Sequence, residues 1–176
     1  YHCGSVWPVE NGEMVVALAR CGQWDQAHRL ARAIFDSAAL FRYCRLPEVF
    51  SGHPRDEAHP FPALYPETNS PQAWSASASF FVLQALLGIP PCAPLEVLLL
   101  DPHLPDWLPE IVLRNLQVGN AKVSIKFRRD SSGQTRFQVI DSQGNLRVLR
   151  HKDPWSLIER PLNEIKHALA ELKQTD

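Results

Sequence analysis

The spacing of apolar positions changes partway along the chain. Up to about residue 90 they recur at helical intervals, and beyond Pro94 they alternate. A first helix is expected from about Pro8 to Arg20. Proline suits its first turn, Ser5 or Trp7 precedes it, and Gly22 stands just past its end. Its body, Met14 to Ala19, is apolar on nearly all sides. A second helix, about Asp25 to Leu40, is amphipathic. Ala27, Leu30, Ala31, Ile34 and Ala38 share one face, and Asp25, Arg29, Arg32 and Asp36 the other. A third begins at Ser70-Pro71 and ends before Gly88; its Trp74, Phe80, Phe81, Val82, Leu83, Leu86 and Leu87 again suggest burial all round. Buried, half-exposed, buried is the rhythm of inner and outer helices alternating in a ring. The turn at Gly22 makes the first two antiparallel. The start of the first helix, the end of the second and the start of the third then share one end with the irregular stretch from Phe41 to Asn69. A structureless stretch of that length inside a compact domain is either a misassigned element or a functional loop.

Past Pro94, Leu95 to Leu100 is an apolar run, interrupted only by Glu96 and ending at Asp101-Pro102. Strands are expected at Ile111 to Val118, Val123 to Arg129, Arg136 to Ile140 and Leu146 to Leu149, with hairpin turns at Ser131 to Gln134 and Ser142 to Asn145. They predict a small antiparallel sheet with one wet face. An amphipathic helix from about Ser156 to Lys173 closes the chain, bent or begun at Pro161. Proline clusters at Pro47 to Pro71 and Pro90 to Pro109 mark connections. The expected organisation is mainly α with a small β segment: helices and a loop in 1–90, the sheet in 91–155, a terminal helix in 156–176.

Composition narrows the classes. With 176 residues, 45% hydrophobic and 21% charged, the chain reads as an ordinary globular protein. A net charge of −1 supplies no electrostatic footprint for nucleic acid or an anionic membrane, and no run reaches the roughly 18 apolar residues of a membrane span. Cys3, Cys21, Cys44 and Cys92 form no CxxC pair and read as reduced, mostly buried thiols of a cytoplasmic protein. His2, His53 and His59 match no zinc spacing, so no metal is expected; no glycine-rich phosphate loop follows a strand, and no cofactor is expected either. The chain opens on Tyr1 and its one methionine is Met14, which suggests a piece of a longer polypeptide.

Glu48 is the first candidate for chemistry. Arg45-Leu46-Pro47-Glu48-Val49-Phe50-Ser51-Gly52 sets a carboxylate in a proline- and glycine-bounded turn at the polar end of the helices. Held there it suits a general base that activates water; in an ordinary loop the same residue is simply solvated. Trp7 and Trp74 stand at the mouths of the two apolar helices, either as core or as faces for a sugar ring. Glu10 either lines the site or complements the helix dipole, and Gln72 either binds a ligand or caps its helix. The basic stripe Lys122, Lys126, Arg128 and Arg129 reads as a solvated strand face.

Three motifs in order carry a resemblance: Tyr1-His2-Cys3-Gly4-Ser5-Val6-Trp7-Pro8, Leu46-Pro47-Glu48-Val49-Phe50-Ser51-Gly52 and Ser70-Pro71-Gln72-Ala73-Trp74-Ser75-Ala76. Together they resemble the C-terminal part of the amylo-α-1,6-glucosidase, or glycogen-debranching, family. The resemblance implies the last helices of an (α/α)6 toroid followed by a small antiparallel sheet and a terminal helix. It implies an inverting glycoside hydrolase acting on α-linked glucans, with Glu48 as general base and the general acid upstream. Tyr1, His2, Trp7, Glu10, Gln72 and Trp74 would line the sugar site. The chain departs from the family at Val9-Glu10, where a His-Asp pair would follow the tryptophan-proline step. The alternatives are a related toroidal glycosidase acting on a disaccharide or glycosylated metabolite, and a non-catalytic carbohydrate-binding fragment. Alone, the chain is expected to be inactive and to leave apolar helix faces such as Leu83, Leu86 and Leu87 bare for self-association.

Overall fold

Proline and glycine set the helix boundaries in the N-terminal part. The computed structural model describes residues 2–90 and 92–172, and the chain divides into two compact units, Tyr1–Leu83 and Gln84–Asp176. In the first, strand β1 (Ser5–Val6) leads into helix α1 (Pro8–Arg20), with Pro8 in its first turn; Gly22 turns the chain back into α2 (Trp24–Ala38). A 3₁₀ turn (Arg42–Cys44) and strand β2 (Phe50–Ser51) follow, and after the cis Ser70–Pro71 peptide α3 (Ala73–Leu87) begins. One face of α2 is buried, at Ala27, Ala31, Ile34 and Ala38. Gly12 lets α1 approach α3 closely: a Cβ on it would lie 2.8 Å from the Ala78 Cα.

The second unit holds two sheets. Strand β3 (Val97–Leu100) pairs in parallel with β7 (Arg147–Arg150), and β4 (Glu110–Val118), β5 (Ala121–Arg129) and β6 (Thr135–Gln143) form an antiparallel meander. The parallel pair is buried on both faces. Leu98, Leu100 and Val148 join Val123, Ile125 and Phe127 of β5 in one core, while Val97, Leu99 and Leu149 pack on Leu157, Ile165 and Leu169 in another. Those last three belong to helices α4 (Pro154–Ile158) and α5 (Leu162–Glu171). Arg147 donates to the carbonyls of Leu169 and Leu172 at 3.1 and 3.0 Å, so β7 itself caps the end of α5.

These observations correct the expected architecture. The chain is a small α/β protein, 38% helical and 24% strand, rather than mainly α, and no toroid is evident among its described residues. The ring reading rests on helices buried all round, and neither α1 nor α3 is: Met14 is 53% exposed and Phe80 71%. An apolar side chain does not by itself specify burial. Leu86 and Leu87, expected to be bare, are buried. The single antiparallel sheet becomes three sheets among the described residues, because the run Val97–Leu100 makes a parallel strand and β1 pairs antiparallel with β2. The terminal helix divides at Pro161, which has no amide hydrogen to continue α4 and stands before α5; the expected end at Lys173 lies outside the described residues. The third helix starts at Ala73 rather than at Ser70-Pro71. Cys3, Cys21 and Cys44 are exposed rather than buried. No helix among the described residues is long and apolar enough to cross a membrane.

The β5–β6 turn carries a strongly shifted acid. Asp130 Oδ1 accepts from the Ser132 hydroxyl at 2.5 Å and from the Ser132 and Gln134 amides at 3.0 Å, and Oδ2 accepts from Arg136 Nε at 3.0 Å. The Ser132 hydroxyl foremost, then Arg136 and the two amides, hold this carboxyl down to about 2, against desolvation pushing the other way. A depressed carboxylate contributes stability above its unfolded value, roughly 3.9. That contribution is lost as pH falls through about 2. A carboxyl-carbon NMR titration of Asp130 should find its midpoint near 2. A midpoint close to the ordinary value of about 4 would mean that the turn does not form as described.

Candidate functional site

Glu48 is fixed because the chain on either side of it is buried and the loop is laced together by main-chain bonds. Leu46 and Val49 are 1% and 0% exposed. Gly52 N–H donates to Gly4 O at 2.9 Å, Ser51 N–H to Ala63 O at 2.8 Å, and Gln72 N–H to Leu46 O at 3.0 Å. Ser5 Oγ and Tyr65 Oη lie 2.8 Å apart. The stretch expected to be irregular is thus pinned to β1 on one side and to the start of α3 on the other.

Within this frame Glu48 itself is half-buried. Its N–H donates to Asn69 O at 2.8 Å, and its carbonyl accepts from Ser75 Oγ at 3.2 Å. Carboxylate oxygen Oε2 accepts from both the amide N–H and the side-chain Nδ2 of Asn69, each at 3.1 Å. Oε1 has no hydrogen-bond partner among the described residues. One oxygen is therefore tied down and the other available to a water.

The aromatic candidates gather with one another, and one of them adjoins a residue bonded to the Glu48 main chain. Trp74 immediately precedes Ser75, whose hydroxyl holds the Glu48 carbonyl. Trp7 meets Trp74 edge-on at 6.3 Å between centroids, and His2 stacks on Trp7 at 5.3 Å. Trp74 is 52% exposed, leaving much of an indole for an apolar sugar face. Gln72 sits on the same turn, and its Oε1 accepts from Ala73 N–H at 3.0 Å, closing the start of α3. Glu10 is exposed in the first turn of α1, where its charge complements the positive helix end; among the described residues no bond ties it to Glu48. Tyr1 lies outside the described residues.

Two members of this arrangement escape sequence reading. Asn69 reads only as the end of the irregular stretch, and Ser75 as a small residue among the apolar positions of the third helix. Ser75 is fully buried, and a polar side chain on an apolar face is a signal that a partner waits inside. A separate cavity of about 300 Å³ lies between the end of α2 and the segment after β2, lined among others by Asp36, Leu40, Phe50, His53, Arg55 and Phe61; none of the expected site residues lines it. Among the described residues no three His, Cys, Asp or Glu side chains are grouped to hold a metal ion. Compared with models of protein families and with curated proteins, the chain finds no match in either.

The exposed Trp74 offers a direct test of sugar binding. On the sugar-site reading of Trp74, Trp74→Ala should weaken binding of a malto-oligosaccharide by about 1–2 kcal/mol, the worth of a covered aromatic face, and Trp74→Phe by less. Because the side chain is half in solvent, the thermal midpoint should move little. Unchanged affinity in Trp74→Ala would remove the indole from the site.

Proposed function

We propose that this chain carries the general base of an inverting glycoside hydrolase acting on α-linked glucans, of the glycogen-debranching type, with the general acid supplied by residues outside it. The observation that carries this reading is the state of Glu48: every polar atom except Oε1 is held, and its carbonyl is bonded to Ser75, the chain neighbour of Trp74. The three motifs that resemble those of the amylo-α-1,6-glucosidase family support it from the sequence side. In the proposed reaction a water hydrogen-bonds to Oε1 and gives its proton to that oxygen as its own oxygen attacks the anomeric carbon. The acid protonates the departing glycosidic oxygen on the opposite face. Room for the water sets the two carboxyl groups roughly 6.5–9.5 Å apart, so one carboxylate in this chain suffices for half the pair. Four unpaired thiols fit a reducing compartment, and we propose the cytoplasm.

Stereochemistry tests the proposal. With the complete polypeptide and an α-1,6-linked glucoside, proton NMR should show β-glucose as the first product, before mutarotation. First-formed α-glucose would require a double displacement and overturn the general-base reading. The 176-residue chain alone should release no glucose from the same substrate.

A further inference from the structure

We propose that Asn69 is a positioning residue that selects Oε1 of Glu48 as the working oxygen, an inference that rests on the general-base reading above. A carboxylate oxygen has two lone-pair sites. The amide N–H and the Nδ2 of this single residue both donate to Oε2, each at 3.1 Å, and so occupy them. Oε2 is left with no capacity for water, and Oε1 becomes the one oxygen that can accept its proton. The partnership is reciprocal, since Asn69 O accepts the Glu48 N–H at 2.8 Å. Main-chain pairing thus registers the two residues, and the side-chain amide adds the bond that stops the carboxylate from turning about its last torsion. That torsion is broad and soft in a free glutamate.

Asparagine is chemically specific here. An aspartate has the same shape but offers no N–H donor, and its charge would face Oε2. Packing does not explain the residue, because Asn69 is exposed. An exposed side chain whose amide is spent on a carboxylate oxygen is better accounted for by the orientation of that carboxylate than by stability.

The experiment compares Asn69→Ala, Asn69→Asp and Glu48→Gln in the complete polypeptide on an α-1,6-linked glucoside. Asn69→Ala keeps both main-chain bonds and removes one donor. Its kcat should fall about 10-fold through misorientation of the base. KM should stay within about 2-fold, since binding of the sugar is untouched. Asn69→Asp should be worse than Asn69→Ala. A role in loop shape predicts the opposite order, since aspartate is the closer isostere. Asn69→Asp outperforming Asn69→Ala, or both keeping more than about half of kcat, would overturn the proposal. Glu48→Gln separates the two levels: if it is inactive while the Asn69 variants are normal, the base reading stands and Asn69 is dismissed. Should Glu48→Gln retain activity, the base reading fails and the positioning role with it.

Discussion

Replacing Glu48 by glutamine should reduce turnover of an α-linked glucoside by at least about 10²-fold in the complete polypeptide, the usual scale for loss of a general base. Binding should survive. Glutamine has nearly the same volume, and its carbonyl oxygen can still accept from the amide and side chain of Asn69, as Oε2 does now at 3.1 Å from each. The group that would then stand in place of Oε1 is an amide nitrogen, which cannot take a proton from water. The main-chain bonds to Asn69 and Ser75 persist whatever the side chain. Isothermal titration with an oligosaccharide should therefore give a dissociation constant within about 3-fold of the parent, while steady-state rates collapse. Near-normal hydrolysis would remove Glu48 from the mechanism. A collapse of rate and affinity together would instead indicate that the loop had come apart.

How much of this was readable from residues alone depended on how local the cause is. The span Pro8–Arg20 and the turn at Gly22 follow from proline and glycine within one turn of each boundary, and the helix has the expected limits. The alternation expected over Val123–Arg129 is a strand's own signature, seen in β5 (Ala121–Arg129) with Val123, Ile125 and Phe127 turned inward. Strand β3 has no alternation to read. Its four residues are all buried because sheet and helices cover opposite faces, and its partner β7 comes from near the end of the chain. The ring of helices failed for a related reason: it inferred burial from apolar content, whereas Met14 and Phe80 face outward. At the site, Pro47 and Gly52 drew attention to Glu48, and the motifs to Trp7 and Trp74, which do meet. Gln72 is engaged at the start of α3. Asn69 and Ser75 were invisible because their importance lies in bonds to Glu48, which depend on the path of the loop and not on spacing.

Gly88→Ala should be the most destabilising single-methyl change in the C-terminal unit, by about 2–5 kcal/mol. Two costs add: roughly 1–2 kcal/mol for holding a Cβ in the left-handed region, and about 1–3 kcal/mol for overpacking. Gly88 has φ +59 and stands just past the end of α3. Its N–H donates to Ala85 O and the Ile89 N–H to Gln84 O, each at 3.1 Å, the pattern that satisfies the last carbonyls of a helix through a left-handed residue. The strand end passes directly over it. Asp101 N–H donates to Gly88 O at 3.3 Å and His103 N–H to Leu86 O at 2.7 Å. A Cβ on Gly88 would fall 2.3 Å from Asp101 O, 2.7 Å from its carbonyl carbon and 2.8 Å from its nitrogen. All three are main-chain atoms, so no side chain can swing aside; relief would have to move Asp101, and with it Leu100, which is fully buried. Gly22 is the internal control. It too has positive φ, +70, but no atom of the described residues lies within 4 Å of its added Cβ, so Gly22→Ala should lose only the conformational part, about 1–2 kcal/mol. Urea denaturation of the two variants side by side checks the argument. Equal losses would mean that backbone conformation accounts for both, and that the contact between Gly88 and Asp101 relaxes at no cost.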